Sequence, residues 1–134
     1  MLRKFIKISF SQFSQFSDFL KIASEKKCNI CEKQNFLSWE NITPALDNIL
    51  ETLGDFEDAE KYISKNAYNE YHPHGTNYWS KDAPIAIQYY PYNDCTIRKC
   101  PQCAAIFLSY TEYAGHGPQH RLRYVREDLI YYGE

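Results

Sequence analysis

Arg98-Lys99-Cys100-Pro101-Gln102-Cys103, running at once into Ala104-Ala105-Ile106-Phe107-Leu108-Ser109-Tyr110-Thr111-Glu112-Tyr113, is the stretch that decides how the chain is read. Two cysteines separated by two residues form a knuckle whose sulfurs can point at one ion, and Pro101 presets φ for the tight turn. The β-branched and aromatic run after it predicts a strand. Before it, Cys95-Thr96-Ile97-Arg98-Lys99 reads as a second strand, and Ala83-Pro84-Ile85-Ala86-Ile87-Gln88-Tyr89-Tyr90, ended by Pro91, as another. After it, Gly115-His116-Gly117-Pro118 marks a turn, and Arg121-Leu122-Arg123-Tyr124-Val125 alternates as a fourth strand. The apolar tail Asp128-Leu129-Ile130-Tyr131-Tyr132 is expected to dock rather than fray. Residues 82–134 thus predict an antiparallel β-meander.

The first half carries a second knuckle, Cys28-Asn29-Ile30-Cys31. Ahead of it, phenylalanines every third residue from Phe10 to Phe19, continued by Leu20 and Ala23, predict a helix over residues 11–26. Asn35 to Trp39 reads as a strand or turn. Thr43 as N-cap and Pro44 at the first helical position open a second helix. Leu46, Ile49, Leu50 and Leu53 line its face, and Gly54 is placed to close it. A further helical piece is expected over residues 56–71, ending in the loop that contains His72-Pro73-His74. The expected fold is therefore α+β: one domain over 1–134, helical in 1–75 and β-meander in 82–134. An N-terminal helix precedes the sheet and a helical insert separates the knuckles.

Two Cys-x-x-Cys pairs in one short chain point to a single structural zinc on Cys28, Cys31, Cys100 and Cys103, because four thiolates complete a tetrahedron. Such a closed shell leaves no position for water, so the ion supplies folding energy rather than chemistry. Two other readings stand beside this one. Two redox pairs would call for a strand-to-helix setting that neither pair has, and unliganded cysteines would pack as small hydrophobes. Zinc knuckles commonly place Gly after the second cysteine, where φ is positive; here Glu32 and Ala104 stand there, and Ala104 would be strained. Arg98 and Lys99 are placed to offset the charge of a four-thiolate complex. Cys95 reads as a core residue, with a substitute ligand as the alternative, and His72-Pro73-His74 as a surface loop rather than a second metal site.

A net charge of −2 argues against a general polyanion binder. The charge is segregated, with eight acidic and two basic side chains in residues 40–70. Asp47, Glu51, Asp55, Glu57, Asp58 and Glu60 form either a solvated face or a docking surface for a basic partner. Arg98, Lys99, Arg121, Arg123 and Arg126, with Arg121 and Arg123 on one strand face, are the alternative: a nucleic-acid surface, or partners for the acidic segment. No Gly-rich phosphate loop, nucleophile set or paired-carboxylate motif stands out, so a non-enzymatic protein is expected. Glu112 and its tyrosines read as a hydrogen-bonded sheet face or contact surface. The start Met1-Leu2-Arg3-Lys4-Phe5-Ile6-Lys7-Ile8 is basic but has no apolar run of leader length, since Lys7, Ser9 and Ser11 interrupt it. No apolar run reaches membrane-spanning length, so neither leader nor membrane span is expected. Cysteines used as ligands fit a cytoplasmic, reducing setting.

Residues 83–130 resemble small bacterial proteins with a zinc-ribbon-like core. The resemblance rests on Ala83-Pro84-Ile85-Ala86-Ile87, Tyr90-Pro91-Tyr92-Asn93, Arg98-Lys99-Cys100-Pro101-Gln102-Cys103, Tyr110-Thr111-Glu112-Tyr113 and Arg121-Leu122-Arg123. These are similar to immunity proteins of bacterial toxin systems, contact-dependent growth inhibition among them. The resemblance implies a small cytoplasmic binder that neutralises a cognate toxin by covering its active surface. A nuclease toxin, with its basic cleft, would suit the acidic residues 47–60. The alternative is a zinc-ribbon module that binds nucleic acid or a transcription or translation component.

Overall fold

The computed structural model describes residues 6–8, 28, 30–56, 69–113, 115 and 117–131. Its main feature is a six-stranded sheet. The strands are β1 (Ile6–Ile8), β2 (Glu40–Asn41), β3 (Glu51–Phe56), β5 (Thr96–Lys99), β6 (Ile106–Glu112) and β7 (Gln119–Tyr124). Their order is β1-β3-β5-β6-β7-β2. All pairings are antiparallel except β1 with β3. β4 (Ile85–Ala86) and β8 (Ile130–Tyr131) form a separate two-stranded parallel sheet.

The central strand β6 explains why one strand can organise two cores. Side chains alternate across a sheet, and both faces of β6 are covered, so Ala105-Ile106-Phe107-Leu108 is an unbroken buried run. Ile106, Leu108 and Tyr110 pack on one face with Trp39, Ile85, Ile87, Tyr92, Ile97 and Val125. Phe107 packs on the other with Phe36, Leu46, Leu50, Leu122, Tyr124 and three of the knuckle cysteines. The chain passes from one face to the other between Phe36 and Trp39.

The β-meander holds for β5, β6 and β7, with Ile97 opposite Leu108 and Leu108 opposite Arg123. The strand expected at residues 83–90 shortens to β4, which pairs with the docked tail rather than extending the meander.

The α+β expectation, with its N-terminal helix and helical insert, is overturned. Among the described residues there is one α-helix, α1 (Pro44–Ile49), and otherwise only short 3-10 turns and strands. The stretch 11–26 lies outside the described residues, as do 57–68 of the helical piece expected over 56–71, and residues 69–84 hold only turns and irregular chain. α1 starts as expected: Thr43 Oγ1 accepts from Leu46 N–H at 3.2 Å and Pro44 follows. It stops early because Leu50 is already extended (φ −71°, ψ 134°) and Glu51 enters β3. Arg98 secures that stop from across the sheet. Its guanidinium donates to Asp47 Oδ1 at 2.7 Å, Asp47 O at 2.8 Å and Leu50 O at 3.0 Å, satisfying carbonyls a helix end leaves open. Gly54, expected to cap the helix, instead lies in β3 at a register shift opposite Ile97, with φ 154°. Leu53 is the extra residue of that bulge and packs on the Trp39 core.

Candidate metal centre

Each cysteine pair is held by a turn of the same design. The second knuckle joins β5 to β6 as a tight hairpin: Cys100 N–H donates to Ala105 O and Ala104 N–H to Cys100 O, both at 2.9 Å. The first leads through Glu32 into a 3-10 turn (Lys33–Phe36), which sets the Phe36 ring edge-on to Phe107 at 6.3 Å. Backbone N–H groups two and three residues on point at the leading sulfur in both cases, from Ile30 and Cys31 to Cys28, and from Gln102 and Cys103 to Cys100. Lys33 N–H donates likewise to Cys31. These amides stabilise thiolates.

The four sulfurs all lie within 4.8 Å of one another. Across the two knuckles, Cys28 Sγ is 3.5 Å from Cys100 Sγ, and Cys31 Sγ is 3.6 Å from Cys103 Sγ. A tetrahedron with Zn–S bonds of about 2.3 Å has S···S edges of about 3.8 Å, so the cluster is close to the size one ion would set. Cys31, Cys100 and Cys103 are fully buried and Cys28 is half-buried; none is in a disulfide. These four cysteines can hold a metal ion, and no other such group of His, Cys, Asp and Glu occurs among the described residues.

The sulfurs are electrostatically unequal. Burial pushes the Cys28 thiol up, but the Ile30 and Cys31 N–H groups with the Cys31 and Cys100 thiols outweigh it, leaving it at about 6. Burial and the neighbouring sulfurs push Cys31 and Cys100 up. A divalent ion takes the place of the protons that these two raised thiols favour. Tyr124 is raised to about 12 by burial and by Cys103 and Cys31 beside it. The buried Lys33 places its ammonium 5.7 Å from the centre of the Tyr124 ring. Lys33 is thus a buried cation on this side beside Arg98, which is buried opposite Phe107; the sign of Lys33 in the sequence is its place two residues after Cys31.

Glu32 and Ala104, the residues after each second cysteine, both take the left-handed conformation, with φ 50° and 65°. Two non-glycine residues at matched positions store strain of about 1–2 kcal/mol each, which persists only where the surroundings impose it. Ala104→Gly is expected to stabilise the metal-loaded protein by about 0.5–1 kcal/mol, after allowing for the freer unfolded chain. A denaturation midpoint unchanged or lowered relative to the parent would show that Ala104 carries no such strain.

The remaining candidates divide. Cys95 is buried in the Trp39 core, with Sγ 3.2 Å from Pro91 O, and stands apart from the cluster. His72 pairs with Glu70 at 2.7 Å, and His74 is exposed. Among the acidic residues, Asp47 is ion-paired to Arg98, Glu51 and Asp55 lie on β3, and Glu57, Asp58 and Glu60 fall outside the described residues. The arginine stripe is turned inward in part: Arg98 and Arg123 are buried, with their guanidinium groups bonded within the chain. Arg126 pairs with Asp128 at 3.0 Å, and Lys99 is half-buried in β5. Arg121 donates to Tyr78 Oη at 2.9 Å and Gln119 Oε1 at 2.6 Å, and begins a polar chain through Tyr78 and Tyr110 to Glu112, which Tyr90 also meets. Trp79, 55% exposed, lies under the same guanidinium at 4.9 Å. Neither Trp79 nor Tyr78 stands out in the sequence, because only the fold brings their turn beside β7.

No protein-family model, curated protein or solved structure matches the chain. No helix among the described residues is long and apolar enough to cross a membrane.

Proposed function

We propose that the chain is a zinc-clasped recognition protein, in which one structural zinc on Cys28, Cys31, Cys100 and Cys103 holds a rigid sheet whose surface binds a protein partner. The observation that carries this reading is the closeness of the four sulfurs, three of them fully buried. An all-sulfur shell selects zinc over harder divalent ions. It also leaves no open position, so the metal acts as scaffold and the function belongs to the surface.

The surface that best fits a protein partner is the one around Trp79. The turn that presents it is fixed: Trp79 N–H donates to Asn77 Oδ1 at 2.8 Å, Ser80 N–H to Asn77 O at 3.1 Å, and Asn77 N–H to Ser80 Oγ at 2.9 Å. Tyr78 meets the indole edge-on at 4.5 Å and Arg121 covers it. Trp, Tyr and Arg dominate binding hot spots, and a ring already immobilised loses little entropy on docking. Glu51 and Asp55 lie on β3, which β5 and β6 separate from β7; charge at that distance acts on the approach of a basic partner rather than at the Trp79 contact. The partner class supported by the sequence resemblance is a bacterial toxin, neutralised in a one-to-one complex. The nucleic-acid reading has less support, since Arg98 and Arg123 are committed to the interior.

Two measurements test the proposal. Elemental analysis of the purified protein should find one zinc per chain. With the product of an adjacent toxin gene, Trp79→Ala should weaken binding by about 2 kcal/mol, roughly 30-fold in Kd. Glu51→Lys with Asp55→Lys should slow association and flatten its salt dependence. Binding indifferent to all three substitutions would place the interface elsewhere.

A further inference from the structure

The geometry points to Cys28 as an oxidation site, at which a peroxide converts the metal clasp into a covalent one by linking Cys28 to Cys100. This rests on the zinc reading above and concerns how the same four sulfurs are regulated.

The four ligands are not equally accessible. Cys31, Cys100 and Cys103 are fully enclosed, whereas Cys28 is half-buried, with Sγ 3.5 Å from the exposed Gln102 side chain. A small oxidant therefore meets Cys28 first. The sulfur facing it across the clasp is Cys100, at 3.5 Å, so a disulfide of about 2.05 Å needs an approach of about 1.5 Å. Cys31 and Cys103 face each other at a similar 3.6 Å, but both are enclosed. Access thus selects Cys28, and the 3.5 Å approach across the clasp singles out Cys100 as the sulfur that resolves it.

The step balances with peroxide as the oxidant. The Cys28 thiolate attacks one peroxide oxygen, forming a sulfenic acid and releasing hydroxide. The Cys100 thiolate then attacks the Cys28 sulfur, forming the S–S bond and releasing a second hydroxide. Two electrons pass from the two sulfurs to the peroxide. Zinc is left on two thiolates and departs.

The choice of pair decides the outcome for the fold. A bond within one knuckle would leave the segment after Cys28 untethered from β5 once zinc has left. A Cys28–Cys100 bond keeps the two joined, so metal loss need not unfold the Trp79 surface.

The experiment uses the full chain loaded with zinc, treated with hydrogen peroxide while a chromogenic chelator reports released metal. Disulfides are mapped on peptides from the same samples. The expected result is release of the bound zinc together with a Cys28–Cys100 link, while the buried Cys95 stays reduced as an internal reference. Limited alkylation of the untreated, zinc-loaded protein should mark Cys28 before any other thiol, and this needs no substitution in the clasp. Disulfides within the knuckles, earlier reaction at Cys95, or zinc retained through oxidation would overturn the proposal and leave the zinc reading intact. Purified protein without zinc would overturn both.

Discussion

Cys100→Ser is expected to abolish metal binding and with it the cooperative unfolding transition. Serine offers a hydroxyl where the site holds a thiolate, and three sulfurs do not replace four in a structural zinc shell. Structural zinc sites contribute about 10–16 kcal/mol at neutral pH, as much as or more than the whole stability of an ordinary domain, about 5–15 kcal/mol. The loss falls at a demanding place. Cys31, Cys100 and Cys103 belong to the same core as Phe36, Leu46, Leu50, Phe107, Leu122 and Tyr124. Releasing the clasp exposes that face of β6 and leaves buried thiols without a partner. A strong chelator should act on the parent protein as the substitution does. Cys95→Ala supplies the contrast: this thiol lies in the other core, so the variant should keep one zinc and a single sharp melt. Zinc content by mass spectrometry and thermal melting with and without chelator decide the matter. Cys100→Ser retaining both zinc and the parent melt would refute the assignment of the four ligands.

The clasp was legible in the sequence because its signal is local. Two cysteines two residues apart encode a turn, and Pro101 reinforces it. The departure at Glu32 and Ala104 was legible too, since the knuckle imposes its positive φ whatever residue stands there. The strands β5, β6 and β7 were readable for a similar reason: each is a short run of β-formers flanked by turn residues. The helix from Thr43 was readable only at its start. Leu46, Ile49, Leu50 and Leu53 fit a helical face, yet Ile49 is exposed and Leu53 belongs to a strand bulge on the opposite core. Arg98, far away in sequence, holds the end of α1, and no local pattern reports that. Nor does sequence tell a surface arginine from a buried one. Arg121 and Arg123 share a strand face as alternation requires, but Arg123 lies under loops that only the tertiary fold brings over it.

Substituting that arginine should give the second largest effect. Arg123 is 1% exposed, and no carboxylate among the described residues pairs with it. Nε donates to Leu37 O at 3.2 Å, and Nη2 to Lys81 O at 3.2 Å and Ala83 O at 2.8 Å. Nη1 donates to the Tyr92 hydroxyl, whose ring lies 5.9 Å from the guanidinium carbon. Burying an unpaired cation costs several kcal/mol, and charge-assisted hydrogen bonds of about 1.5–3 kcal/mol each offset it. Arg123→Ala leaves three carbonyls and a phenol without their donor and opens a void beneath β7, so a loss of about 3–5 kcal/mol is expected. Arg123→Met fills most of the void and removes the buried charge, yet leaves the same acceptors unpaired; it should recover only part of the loss. Arg123→Lys is the sharper test, because it keeps the charge but not the planar fork that reaches three chain segments at once. It should fall well below the parent in denaturant midpoint, measured on zinc-loaded protein so that the clasp contributes equally. The three carbonyls belong to the segments carrying Trp39 and leading from Trp79 into β4, so partner binding through Trp79 should weaken along with stability. Arg123→Lys as stable as the parent would mean that charge alone, and not the fork, holds those segments to the sheet.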